Sequence, residues 1–195
     1  MDNAEAKTEK GFAEGEHVVL RPVLEDDLPE LAKLMAENPG EREPTPWTHQ
    51  RLKKKFEDKK EPGLWGKRER YYVIVRKSGG VVGLLREEDD YNRGIYWNEL
   101  HVADALADRD QLGRDVAATY LAYKQRWHDP LRISFDLLRV EKTKIAWLEA
   151  CGFELELTQE RSVLYRGKPE ARCFYTWLSE TLLNAPHWEE DAEQS

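Results

Sequence analysis

Short apolar runs rich in β-branched and aromatic residues, bounded by turn and polar residues, occur in four stretches of the chain, and each predicts a strand. His17-Val18-Val19-Leu20-Arg21-Pro22-Val23 is the first, stopped by Pro22. Tyr71-Tyr72-Val73-Ile74-Val75-Arg76 and Val81-Val82-Gly83-Leu84-Leu85 flank Ser78-Gly79-Gly80, a hairpin turn. Ile95-Tyr96-Trp97-Asn98-Glu99-Leu100-His101-Val102 follows a turn at Asp89 to Arg93, giving an antiparallel meander of three strands.

Between these runs the period changes to that of a helix. Leu28, Leu31, Leu34 and Met35 form one stripe behind the acidic start Glu25-Asp26-Asp27, whose charges suit the positive end of a helix. Asn38-Pro39-Gly40 ends it, and Glu41 to Pro46 is a proline-broken loop. A second helix is expected from Thr48 to about Lys59, ended by Pro62-Gly63. After the meander, Ala103 to Leu112 reads as a loop, and Gly113 to about Trp127 as a helix with Val116, Ala117, Tyr120, Leu121, Lys124 and Trp127 on one face. Leu131 to Leu137 is a strand. Glu141 to Cys151 is a helix with Gly152 as its stop. Phe153 to Leu157 and Cys173 to Leu178 are two last strands. A crossover helix after the meander requires a parallel pair within the sheet.

Composition narrows the possibilities. A length of 195 residues and 40% hydrophobic content fit one domain with a real core, here residues 16–183 between a flexible tail, 1–15, and an acidic tail, 184–195. A net charge of −8 argues against nucleic acid as a partner, since phosphate binding needs a basic face. The basic run Arg51 to Lys55 is read as a solvated helix face. No apolar run approaches the ~20 residues of a membrane span, and the N-terminus has no signal-peptide core. A cytoplasmic protein, monomer or homodimer, is expected. Cys151 and Cys173 have no metal-site spacing and sit in apolar contexts, so no metal is expected. There is no Walker loop, no Gly-x-Ser-x-Gly elbow and no zinc-protease helix motif.

The order of elements, with Val19 to Leu31 at the start, Val81-Val82-Gly83 in the meander and Ile145 to Glu154 at the close, resembles the Gcn5-related N-acetyltransferase (GNAT) family. Within it, the chain is most similar to the branch that acetylates ribosomal proteins and small molecules. The resemblance covers about residues 17–180. It implies an α/β (α+β) fold of the acyl-CoA N-acyltransferase type: a mixed, mostly antiparallel sheet of six to seven strands with a splayed parallel pair, flanked by about four helices. It also implies acetyl-CoA as acyl donor. The pantetheine arm would pair with backbone groups of the meander's last strand around Leu100 and Val102. The pyrophosphate would sit at the next helix start, on Arg109, Gln111, Leu112, Gly113 and Arg114.

Four residues depart from the family's pattern. Asp110 and Asp115 stand beside the expected pyrophosphate position, where basic or amide and small residues are usual. Glu141 replaces an asparagine of the closing helix. Leu148 replaces a tyrosine that serves many members as general acid, although leucine is also frequent in the ribosomal-protein branch.

Acetyl transfer to an amine needs a base for the ammonium proton and a polarised carbonyl. Glu99 and His101 share one strand face by the period of two, and either suits the base. Trp47, Trp65 and Trp97, with Tyr91 and Tyr96, are candidates for an acceptor pocket, with ordinary core packing as the alternative. The expected acceptor is a primary amine, either a protein N-terminus or a small molecule. The competing expectation is a protein that kept the fold, lost transfer, and serves as a binding or regulatory module.

Overall fold

The computed structural model describes residues 13–37, 48–58, 68–90, 94–103, 106 and 108–185. The chain begins there with a two-residue strand, Ala13–Glu14 (β1), paired antiparallel with Val18–Pro22 (β2). β1 falls in the segment expected to be a flexible tail. Its sequence has no strand pattern because what holds it is tertiary. Asp115, almost a hundred residues away, accepts the N–H groups of Glu16, His17 and Val18 at 2.9, 2.6 and 2.9 Å. A Cβ on Gly15 would collide with Asp115 and Thr119, so the turn between β1 and β2 needs glycine there.

Glu25–Asp27 forms a 3-10 turn leading into Leu28–Glu37 (α1). Asp27 fixes the entry: it takes a bidentate pair from Arg21 at 2.6 and 2.7 Å and the Leu24 N–H at 2.7 Å. His49–Asp58 (α2) follows. Both helices cover one face of the sheet, where Leu28, Leu31 and Leu52 bury against Tyr71, Val73 and Leu84.

The meander is Glu69–Arg76 (β3), Val81–Asp89 (β4) and Ile95–Val102 (β5). The register of β4 on β5 is constant from Gly83↔Val102 to Asp89↔Tyr96. Arg109–Trp127 (α3) crosses the opposite face, and Arg132–Leu138 (β6) returns parallel to β5. Lys142–Glu149 (α4) packs beside α3. Glu154–Tyr165 (β7) and Lys168–Leu178 (β8) form a long hairpin, followed by Glu180–Leu183 (α5). α4 closes with paired bonds, Gly152 N–H to Glu149 O and Phe153 N–H to Leu148 O, around Gly152 at φ +83°. This is the stop expected of a glycine after a helix.

One sheet of eight strands results, in the order β1-β2-β3-β4-β5-β6-β8-β7, mostly antiparallel with β5 and β6 as the parallel pair. The expected fold class is therefore observed, with β1 added to the strands. α5 is likewise additional to the expected helices. The sequence pattern also understated β4 and the final hairpin. Beyond Leu85 and Leu157 these strands are rich in polar and charged residues, which mask their strand pattern.

Candidate active site

The parallel pairing of β5 with β6 runs from Ile95↔Arg132 to Asn98↔Phe135 and then stops, although both strands continue. They part at Asn98. Its side-chain amide donates to Ser134 O on β6 at 3.1 Å, bracing the apex of the opening. Asp90 N–H bonds to Ile95 O, and Ala103 N–H bonds to Val82 O, so odd-numbered residues of β5 turn their backbone groups to β4. The alternation of an antiparallel ladder then points those of Leu100 and Val102 toward the diverging β6. On the far side of the opening, the Leu138 N–H is already taken by Glu141 Oε2 at 2.7 Å, and Glu141 is also paired with Lys144. Glu141 is thus a backbone cap, a role invisible in the sequence because Leu138 and Glu141 approach only across the β6–α4 turn.

Below the opening lies the start of α3. The helix begins at Arg109, four residues before the expected position, so Gly113 is inside it. A Cβ on Gly113 would overlap the Trp147 indole, so the glycine serves the close approach of α3 and α4. Leu112 is a core side chain, and its N–H goes to Asp108 O at 3.0 Å. Arg109, Gln111 and Arg114, together with Leu106, Asp108 and Asp110, line an open depression of ≈ 570 Å³. Arg109 stacks on Trp147 at 5.3 Å, and Gln111 Nε2 contacts His17 Nε2 at 2.7 Å.

The acidic residues near this depression are engaged elsewhere. Asp115 faces away from it, onto the β1–β2 turn. Asp110 accepts from the Trp147 indole N–H at 3.3 Å, and Asp108 pairs with Arg76 at 2.7 Å. The start of this 19-residue helix thus carries two guanidinium groups, Arg109 and Arg114, at the positive end of its dipole. These residues fit the pyrophosphate of CoA.

The two faces of β5 differ sharply. Tyr96, Asn98, Leu100 and Val102 are buried toward α3. There Glu87, fully buried, accepts from Arg70 at 2.8 Å and from the Tyr120 hydroxyl at 2.8 Å, and lies 2.7 Å from Lys124 Nζ, also fully buried. Tyr120 OH is also 2.7 Å from Asn98 Oδ1, so its one proton serves either acceptor. Lys124 rests 3.9 Å above the Tyr96 ring. Burial pushes the Glu87 carboxyl up, but Lys124, Tyr120 and Arg70 outweigh it and hold the group below its ordinary range. Burial pulls Lys124 down, with Glu87 opposing. The directions favour opposite forms. We assign the ionised pair, because three donors converge on Glu87. Sequence reading placed Lys124 on the apolar face of α3 and missed Glu87, Arg70 and Asn98, which no motif marks.

Trp97, Glu99 and His101 lie on the other face. Arg86 sits between Glu69 and Glu99, each at 2.9 Å, and reaches Glu88 at 3.2 Å. Burial pulls its guanidinium down, but Glu99 and Glu69 prevail and hold it above its ordinary value. Lys55 bonds Tyr71 and pairs with Glu69 at 3.5 Å. Across the opening, Arg172 pairs with Asp136 and Arg132 with Glu156. Trp97, 36% exposed, meets Phe174 edge-on at 6.0 Å with Arg132 5.4 Å from its ring. Trp47, Trp65 and Tyr91 lie outside the described residues.

No family model and no curated protein matches this chain. Solved structures do. An acetyltransferase of the GNAT family from Bacillus anthracis superposes with a TM-score of 0.71 at 11% identity, covering 86% of this chain and 98% of that one. Spermidine N-acetyltransferase from Vibrio cholerae, in complex with CoA and spermine, gives 0.68 at 16% identity, covering 86% and 99%. Ribosomal-protein-S5-alanine acetyltransferase from Vibrio fischeri gives 0.67 at 14%, covering 87% and 97%. The fold is that of the GNAT acetyltransferases. At these identities the likeness is one of architecture, and residue roles rest on this chain's own geometry. No described helix is long and apolar enough to cross a membrane, and the described residues hold no cluster suited to a metal ion.

Proposed function

We propose that this protein is an N-acetyltransferase that moves an acyl group directly from acetyl-CoA to a primary amine. The observation that carries this reading is the opening between β5 and β6. Backbone groups of Leu100 and Val102 face it, and Arg109 and Arg114 lie below at the α3 start. Bound acetyl-CoA supplies the acyl carbon as a thioester.

The chain's own residues do the rest. Arg109, Gln111 and Arg114 hold the phosphates. The Val102 N–H polarises the acyl carbonyl as negative charge develops on its oxygen. Glu99, or His101 beside it, takes the proton of the acceptor ammonium, freeing the nitrogen lone pair for attack. The amine would form the C–N bond as the C–S bond breaks, and CoA would leave as its thiolate, which takes up the second proton that the nitrogen gives off. Arg86 donates to Glu99 at 2.9 Å and holds it in place. Leu148, fully buried, supplies no proton to the leaving thiolate.

Calorimetric titration with acetyl-CoA tests the reading. Saturable binding is expected, weakened at least tenfold by Arg114→Glu. No binding at millimolar acetyl-CoA overturns it. With binding established, Glu99→Gln and His101→Ala identify the base. Turnover unchanged in both removes the assignment. A second reading, a binding module without turnover, is favoured by Glu141 sealing the Leu138 N–H and by the apolar Leu148. Binding without release of CoA in the presence of any amine supports it.

A further inference from the structure

The face that would receive the acceptor has a composition of its own. Among the described residues, five of its carboxylates, Glu69, Glu88, Glu99, Asp136 and Glu156, are paired with Lys55, Arg68, Arg86, Arg172 and Arg132. A second or third ammonium on an acceptor would have to displace a cation already present, with no net Coulomb gain. What this face offers beyond charge is aromatic surface. Trp97 is 36% exposed, Phe174 packs edge-on against it, and the half-exposed Leu157 lies opposite Phe174 on the hairpin. Helices α1 and α2 pack on the meander side of this face.

Resting on the acetyltransferase reading, we propose that the acceptor is a small primary amine carrying an aromatic ring, and not a polyamine. Trp97 is the specificity-determining residue. Trp97 and Glu99 project from the same face two residues apart, about 7 Å along the strand. An amine two carbons from its ring spans about 5 Å from ring centre to nitrogen. The ring then lies against the exposed part of Trp97 while the nitrogen reaches Glu99 at the opening. Aromatic contact of this kind adds to simple burial through the ring quadrupole. One ammonium is enough for the site, because its proton is the one that Glu99 removes.

The test uses the full chain with saturating acetyl-CoA, 2-phenylethylamine and spermidine as acceptors, and release of the CoA thiol as readout. We expect kcat/KM at least tenfold higher for 2-phenylethylamine. Trp97→Ala should lower that value at least tenfold, and Trp97→Phe should restore it to within about threefold. Equal or better use of spermidine overturns the proposal, as does acylation of an alanine-terminated peptide with no acylation of 2-phenylethylamine, or a Trp97→Ala value unchanged from wild type. Saturation-transfer NMR of 2-phenylethylamine separates this proposal from the reading beneath it. If acetyl-CoA fails to bind, the acetyltransferase reading falls, while ring-proton saturation abolished by Trp97→Ala still supports an aromatic amine site. No saturation in the wild-type protein overturns it.

Discussion

Strand β5 presents two faces built by the same alternation and put to opposite uses. Toward α3, Asn98 joins a buried array in which Glu87 gathers Arg70, Tyr120 and Lys124 around one carboxylate. Toward the opposite side, Glu99 joins an open array in which Arg86 is shared among three carboxylates at the surface. In the first, low polarity makes each contact strong and each loss costly. In the second, water screens every pair, and the groups can be re-sorted by a ligand. Stability is concentrated on one face of the strand and adaptable charge on the other, with the strand opening between them.

The sharpest way to break this contrast is to remove the buried cation. Lys124→Met leaves Glu87 charged and under-compensated in the core. It should cost about 3–5 kcal/mol in urea unfolding, and adding Glu87→Gln should recover part of that. A loss below about 1 kcal/mol for Lys124→Met would show that the network is not coupled as its distances imply.

The pH dependence gives a smaller effect of the same origin. The native Glu87 carboxyl titrates below its ordinary value near 4.5. In the window beneath 4.5 the unfolded chain therefore binds the proton first. The stability that Glu87 contributes is complete above 4.5 and is lost as pH falls through the folded value. The acid limb of a stability–pH curve should thus be shallower in the Glu87→Gln/Lys124→Met pair than in wild type, by at most about 1.4 kcal/mol per pH unit. Parallel limbs would deny Glu87 this role.

The smallest effect is expected on the open face. Glu99→Gln removes one of three carboxylates around a half-exposed guanidinium and should change stability by no more than about 0.5 kcal/mol. A loss comparable to that of Lys124→Met would erase the distinction between the faces.

Gly113 and the carboxylates near it show where reading from sequence reached its limit. A glycine before a helical pattern resembles a phosphate loop. Only the placement of Trp147 over it shows a packing glycine, with the helix already begun at Arg109. Asp110 and Asp115 looked like obstacles to an anion because sequence gives identity without direction. Asp115 is spent on three backbone N–H groups of a turn that precedes it by about a hundred residues. Nothing in the run Arg86-Glu87-Glu88 signals that its middle residue is buried, because the three are alike in being charged.

The sequence by itself determined the period of each central element, their order, and the stop at Gly152, because these follow from local alternation, helical stripes and backbone freedom. It also determined that Trp97, Glu99 and His101 share a face, since a strand allows nothing else. Tertiary structure decided which residues meet across the sheet. It set β1 against β2, turned Asp115 away from the helix start, sealed Glu87 with Lys124, and ended the β5–β6 pairing at Asn98. Each of these depends on contacts between residues far apart in the chain, whose direction and distance no local pattern encodes.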